Sequence, residues 1–366
     1  MINLGLFSMP IHSPGRVIAD ALSEDRELVI LADKLGFQEA WMGEHFTSVG
    51  EPVTSPLIFN ASLIDAAPNI NFGTGVLCLP QQHPVVVAGH VALLDQLSKG
   101  RVLFGIGSGG LASDWEIFDN LDHEARGRSM LEAIDAIINL WTCGSPIKHE
   151  GEFWPFKLKK FLIPEIGLGQ IIKPFQNPYP KIAVSLRGAN SGLARLAGSR
   201  GWIPISGNFV PAETIATHWP TYEDEARKSG QDTSREIWRV GRSILITETQ
   251  SQADDIINDL NGVFTDYYYY LNLHLKMVQG DIDKNYNPAI EREEARSIAK
   301  RQVSIGTASS VLDQLIAFYD IVGEFGYLNL TAHDISDNPD LWFSSMRVLA
   351  EEVVPSLSKH IKSKQQ

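Results

Sequence analysis

The chain has 366 residues, 44% hydrophobic and 20% charged, with a formal net charge of −13 at pH 7. This is ordinary globular composition, which excludes a disordered or collagen-like chain, and the acidic balance argues against nucleic acid and anionic membranes as partners. Cys78 and Cys143 show no metal-ligand spacing and are expected to be reduced, buried and structural. No apolar run of about 18 residues occurs, so no membrane span is expected. The start, MINLGLFSMP, lacks the basic flank and long apolar stretch of a signal peptide, which gives a cytoplasmic expectation.

Short apolar runs alternate with helical patterns along most of the chain. Asn3–Phe7 reads as a first strand, followed by a helix that Ser23 can cap and Gly36 stops. Gln38–Met42 is a second strand, ending in Gly43-Glu44-His45-Phe46, and a helix over about Ser55–Ala66 leads to a third strand at Ile70–Gly73. A helix carrying Val87, Val91 and Leu94 on one face closes at Lys99 and Gly100, before a fourth strand at Val102–Ile106. A helix near Glu124–Trp141 comes next.

Residues 144–179, rich in Pro, Gly and aromatics, read as a hairpin or surface excursion. Strands are expected at Lys181–Ser185, Trp202–Ser206, Val240–Thr247 and Tyr327–Thr331. Helices are expected to begin near Asn190 and to cover Ala212–Lys228, Gln252–Phe264, Ser309–Val322 and Pro339–Leu357. Residues 265–304 are helical in tone but out of rhythm. Eight strands with intervening helices give an α/β chain folded as a (β/α)8 TIM barrel, here a single domain over 1–366 with insertions at about 144–179 and 265–304. Chemistry then belongs at the carboxyl ends of the strands, with the second insertion as a lid.

The strand ends carry small or polar residues that suit a flat or phosphorylated ligand. His45 follows the second strand, where an imidazole can move protons; the alternative is a hydrogen-bonded structural histidine. Thr74-Gly75-Val76 follows the third strand and permits close backbone approach, or simply a tight turn. Gly107-Ser108-Gly109-Gly110 follows the fourth, and its successive N–H groups suit an anion or a ring. Arg187, Asn190 and Ser191 follow the fifth strand at a helix start, which fits a phosphate or an ordinary cap. His83 and the pair His333-Asp334 read as structural, and Tyr267–Tyr270 as packing on an insertion helix.

Three stretches resemble the bacterial-luciferase-like flavin monooxygenase family: WMGEHFTSVGEPVTSP at 41–56, GTGVLCLPQQHPVVVAGHVALLDQLSKGRVLFGIGSG at 73–109 and PKIAVSLRGANSGLARLAGSRGW at 180–202. Within it the chain is similar to the branch holding limonene monooxygenase and the luciferase α subunit. The resemblance implies reduced FMN, supplied by a separate flavin reductase, oxygen as co-substrate, a small apolar organic substrate and a homodimer. It places His45 on the catalytic histidine and Gly75–Val76 on a cis peptide under the flavin ring. It places Gly107 near flavin C4a, Ser108 near the phosphate, Asn190 and Ser191 on the phosphate-binding helix start, and Ser206 near the ring edge. The chain departs from luciferase in keeping one histidine after Glu44, and in having Gly107 and Ser108 where luciferase has Cys and Arg, which leaves phosphate charge to Arg187. Phe46, Trp115 and parts of the tyrosine-rich lid are expected to line the substrate pocket. The same barrel also fits F420-dependent hydride transfer, or a non-catalytic flavin-binding partner subunit.

Overall fold

The computed structural model describes residues 2–280 and 286–365, and among them ten parallel strands form the main sheet: a two-residue strand, Leu77–Cys78, and nine that organise the fold, β1 (Asn3–Ser8), β2 (Glu39–Met42), β3 (Asn71–Thr74), β4 (Val102–Gly107), β5 (Ile182–Leu186), β6 (Ile203–Ser206), β7 (Arg239–Ile246), β8 (Val303–Gly306) and β9 (Tyr327–Thr331). β9 pairs with β1, each of β1 to β6 pairs with the next, and β7 joins β6 to β9, so eight strands close into the expected (β/α)8 barrel. β8 is an extra strand that pairs with the upper half of β7, Ser243↔Val303 through Ile246↔Gly306. It escaped the sequence reading because its four residues follow directly on a long, charged helix.

Alternation along the strands fills the interior. Trp41, Leu103, Ala183, Ile203 and Ile205 form a separate buried cluster with Phe7 against it. Gly73 faces the Trp41 indole so closely that any side chain there would collide with it. Removing a ring from such a plug costs about 3–5 kcal/mol. Below it Arg239 Nη2 pairs with Glu39 Oε2 at 2.9 Å, and Trp41 Nε1 donates to Glu39 Oε1 at 2.8 Å. The plug is therefore the floor of whatever binds at the strand ends.

Five helices matter below: α1 (Ala112–Ile117), α2 (Gly192–Arg200), α3 (Val263–Gln279), α4 (Pro288–Gln302) and α5 (Ala308–Val322). The first irregular stretch holds an antiparallel hairpin, Ile147–His149 with Phe156–Leu158. The second holds α3 and α4, which pack on each other.

Several boundaries differ from the sequence reading. The first helix runs over Ile18–Lys34, so Ser23 lies within it rather than capping it; the buried Ala21 and Asp25 extend its inner stripe upstream. Ala212–Lys228 divides into Ala212–Ile215 and His218–Lys228, because Pro220 lacks an N–H and is tolerated only in a first turn. The helix at Gln250–Asn258 stops short of Phe264, which belongs to α3. The closing helix passes through a π segment at Leu349–Val353 and continues to Gln365. Cys143 is exposed at a helix end, not buried, whereas Cys78 is buried; both are free.

Candidate active site

His45 sits where β2 gives way to loop, with its backbone N–H bonded to Val53 O at 3.1 Å. Its side chain is 12% exposed and lies between two carboxylates: Nδ1 is 3.4 Å from Asp114 Oδ2, and Nε2 is 3.6 Å from Glu51 Oε2. Burial opposes charge on this imidazole, but Asp114, Glu51 and Glu44 outweigh it and hold its pKa above the ordinary value. Asp114, on α1, is anchored by the N–H groups of Phe46 and Thr47 and by the Thr47 hydroxyl. Despite burial, those donors and His45 keep it below the usual carboxylate range. Glu51 is pushed up by burial and accepts the Tyr270 hydroxyl at 2.7 Å. At 3.6 Å the Nε2···Glu51 contact is an ion pair rather than a hydrogen bond, which leaves an Nε2 proton available to a ligand.

Glu44 points away to the next loop. It accepts the Cys78 N–H at 2.8 Å and Gln82 Nε2 at 2.9 Å, and burial still pushes its carboxyl up to about 7. The linkage fixes the loop after β3 against the loop after β2. The Gly75–Val76 peptide there is cis. A Cβ on Gly75 would lie 3.1 Å from Trp41 Cβ and 3.2 Å from Phe7 Cε2, so this backbone rests on the barrel plug. Thr74 spends its hydroxyl on Gly105 O at 2.6 Å.

Gly107 touches Val76: a Cβ on it would stand 2.6 Å from Val76 Cγ2. Gly109 takes φ +91°, a conformation natural to glycine, and lies beside Trp115 Nε1 and Gln81 Nε2. The Trp115 Nε1 and both amide atoms of Gln81 are buried without a hydrogen-bond partner among the described residues. Arg126 lies 3.9 Å over the Trp115 ring. Arg187, whose Nη1 is 4.0 Å from the Cβ position of Gly110, has no hydrogen-bond or carboxylate partner among the described residues. It is exposed, yet desolvation by surrounding protein lowers its pKa, the combination expected of a side chain lining a cleft. An unpaired guanidinium beside a glycine loop and orphaned donors can hold an anion.

The remaining candidates lie around α2. Asn190, at φ +50°, gives its N–H to Thr217 Oγ1 at 3.0 Å. Ser191 caps α2, its hydroxyl accepting the Leu193 N–H at 3.2 Å. Ser206 is fully buried: its hydroxyl pairs with His218 Nδ1 at 2.8 Å and accepts from Trp238 Nε1 at 2.9 Å. His218 Nε2 donates to Gly188 O at 3.0 Å, so Ser206 steadies the Arg187 loop from behind. The structure thus brings His45, Gly75–Val76, Gly107, Ser108 and Arg187 to adjoining strand ends, and sets Thr74 and Ser206 beneath them.

Asp114, Glu51 and His274 are the residues the sequence reading missed, and Tyr270 is the member of the tyrosine-rich segment that meets the His45 surroundings. His274, on α3, accepts the Ala112 N–H at 3.1 Å; burial first, then the charges of His45 and Arg187, lower its pKa. Asp114, Tyr270 and His274 reach the site from far off in sequence, so no spacing could signal them; Glu51, six positions after His45, was the one near enough to offer a hint. Phe46 packs edge-on against Phe118 at 5.0 Å between ring centroids. His83 caps a helix, and His333 is buried against Ser243 at 2.9 Å with its pKa pushed down to about 3, both structural as expected. Tyr267 and Tyr268 are buried packing, as expected, but Tyr270 reaches the site.

The luciferase-like monooxygenase family profile matches residues 2–324. The chain belongs to that family. It is a flavin-dependent monooxygenase, an oxidoreductase. It is 34% identical over 252 residues to limonene 1,2-monooxygenase of Rhodococcus erythropolis, covering 69% of this chain and 62% of that one. It is 28% identical over 345 residues to the oxygenase component of the flavin-dependent trigonelline monooxygenase of Acinetobacter baylyi, covering 91% and 89%. In fold it is similar to the oxygenating constituent of 3,6-diketocamphane monooxygenase from Pseudomonas putida, a type II Baeyer-Villiger enzyme solved with FMN. The TM-score is 0.83, at 24% identity over 97% of this chain and 98% of that one.

Proposed function

We propose that the chain, acting as one cytoplasmic domain over 1–366, is the oxygenase of a two-component system that takes reduced FMN from a separate reductase. It then places one oxygen atom of O2 into a small apolar organic substrate. The observation that carries this reading is the adjacency of three features: the His45 imidazole set between the Asp114 and Glu51 carboxylates, the glycine floor at Gly75 and Gly107, and the Arg187 guanidinium, unpaired among the described residues. Relatives that are monooxygenases by name, an oxygenase component among them, and a structural neighbour solved with FMN support it.

The residues fit the cofactor. The orphaned Trp115 and Gln81 groups and the glycine cradle suit a polar planar molecule; Arg187, Ser108 and the Asn190-Ser191 start of α2 suit its phosphate. Thr74, Gly75, Val76 and Gly107 would lie under the ring, with Ser206 supporting from below. Reduced flavin, when bound, supplies the two electrons with which O2 is split between substrate and water. His45 holds a proton at Nε2 for a developing oxyanion, and Asp114 fixes the ring through Nδ1. Glu51 sustains the positive charge, and α3, through Tyr270 and His274, closes the site against water. A homodimer is part of the same reading: Ile58, Val86, Leu93 and Leu97 are exposed on helices beside the early strands.

Anaerobic titration tests the cofactor. Reduced FMN is expected to bind more tightly than reduced F420, and Arg187→Ala to weaken FMN by roughly 10- to 100-fold while leaving riboflavin unchanged. Preference for F420, or equal losses for FMN and riboflavin, would count against the assignment.

A further inference from the structure

β6 and β7 share only the pairs Arg239↔Ile205 and Val240↔Ser206, then part. Outside that split, α3, α4, α5 and the segment after β6 border an open groove of about 670 Å³. Arg242 belongs to it. Arg239 faces the barrel interior, where it meets Glu39, so Arg242, three residues on, faces the helical layer. Its guanidinium lies 4.8 Å over the Phe318 ring of α5. The residue is only 9% exposed. Nε donates to Ser304 Oγ at 3.2 Å; among the described residues neither terminal nitrogen has an acceptor, and no carboxylate pairs with the group.

A buried cation without a counter-charge is costly, and folded proteins seldom leave one so. Here the terminal nitrogens open onto a groove. Tyr268, buried on the same wall, brings its ring to the groove. Lys300 and Arg301 stand at the groove against one carboxylate, Glu213, on a chain whose net charge is −13. The remaining wall is largely apolar, with Leu271, Leu275 and Ile321 among it. A single buried guanidinium matches a monoanion, whose two oxygens suit its two terminal nitrogens. The apolar wall matches a hydrocarbon tail, and the volume lies within the range of small-molecule sites.

We propose that this groove is a second ligand site, separate from the active site, that takes an organic monocarboxylate with an apolar tail. Arg242 receives the head group, and α3 and α5 receive the tail. Helix α3 presents Leu271 and Leu275 to this groove while Tyr270 and His274 engage the active site.

Calorimetric titration of the flavin-free protein with decanoate tests the site, and does so independently of the proposed reaction. Saturable binding is expected, weakened roughly tenfold or more by Arg242→Met and by Ala317→Trp, which fills the groove from α5 without touching the guanidinium. Decanol is expected to bind at least about tenfold more weakly than decanoate, and octyl phosphate no more tightly. Ala317→Trp keeps the test decisive if the arginine variant does not fold. Binding that survives Ala317→Trp overturns the location, decanol binding as tightly overturns the role of Arg242, and tighter octyl phosphate overturns the carboxylate class. Absence of decanoate binding below its aggregation threshold overturns the site.

Discussion

Tyr270 donates its hydroxyl to Glu51 at 2.7 Å, joining α3 to the loop after β2 across 219 positions of sequence. The same carboxylate oxygen lies 3.6 Å from His45 Nε2. The position of α3 and the charge of the imidazole are therefore linked. Tyr270→Phe removes a hydrogen bond that favours ionised Glu51, so the Glu51 pKa rises and the His45 pKa falls. The basic limb of the rate–pH profile is expected to move down by about one unit. A profile unchanged in position would separate Tyr270 from the imidazole.

His45→Ala removes the proton carrier while leaving the Arg187 and Gly107 surfaces intact. Product formed per O2 consumed is expected to fall by about 100-fold or more, with hydrogen peroxide released instead and reduced-flavin affinity little changed. Asp114→Asn is expected to act in the same direction, because it removes a charge that sustains the imidazolium. Oxygen-electrode and product assays on the same samples check both.

The contact of Gly107 with Val76 makes a steric prediction. Gly107→Ala sets a methyl 2.6 Å from Val76 Cγ2, at a cost of about 1–3 kcal/mol and a loss of flavin affinity. Val76→Ala in the same chain removes that methyl and is expected to restore part of both. Melting temperatures and flavin titrations of the single and double variants measure the coupling.

Behind the site, His12 lies buried between Asp25 at 3.3 Å and Asp334 at 3.1 Å. Burial opposes its charge, but the two carboxylates raise its pKa from 6.5 to about 9. A raised histidine binds its proton more tightly in the folded chain. Its stabilisation is therefore complete below pH 6.5 and lost as pH rises towards about 9, on the order of 3 kcal/mol in all. Denaturant unfolding between pH 6 and about 9.5 is expected to show this decline, and His12→Gln to flatten it.

Much of this was legible in sequence because strand ends announce themselves locally. The barrel follows from alternating short apolar runs and helical stripes, and His45, Gly75, Gly107 and Arg187 each stand within a few residues of such a run. What was hidden is set by tertiary distance. Asp114 meets His45 across 69 positions, and Tyr270 meets Glu51 through a helix whose tyrosines read as packing. Ser206 looked like a ring contact; only the fold shows its hydroxyl spent on His218 and Trp238. Strand β8 was lost because Val303–Gly306 continues a charged helix with no turn signal between them.

A crystal structure of the protein with FMN bound would show whether these strand ends together hold the cofactor. The phosphate is expected within about 3 Å of the Arg187 guanidinium, a charge-assisted contact. The ring is expected against Gly75–Val76 and Gly107, with His45 Nε2 facing the reacting edge. A flavin bound with its phosphate away from Arg187, or with His45 turned out of reach behind Asp114, would contradict this placement of the cofactor.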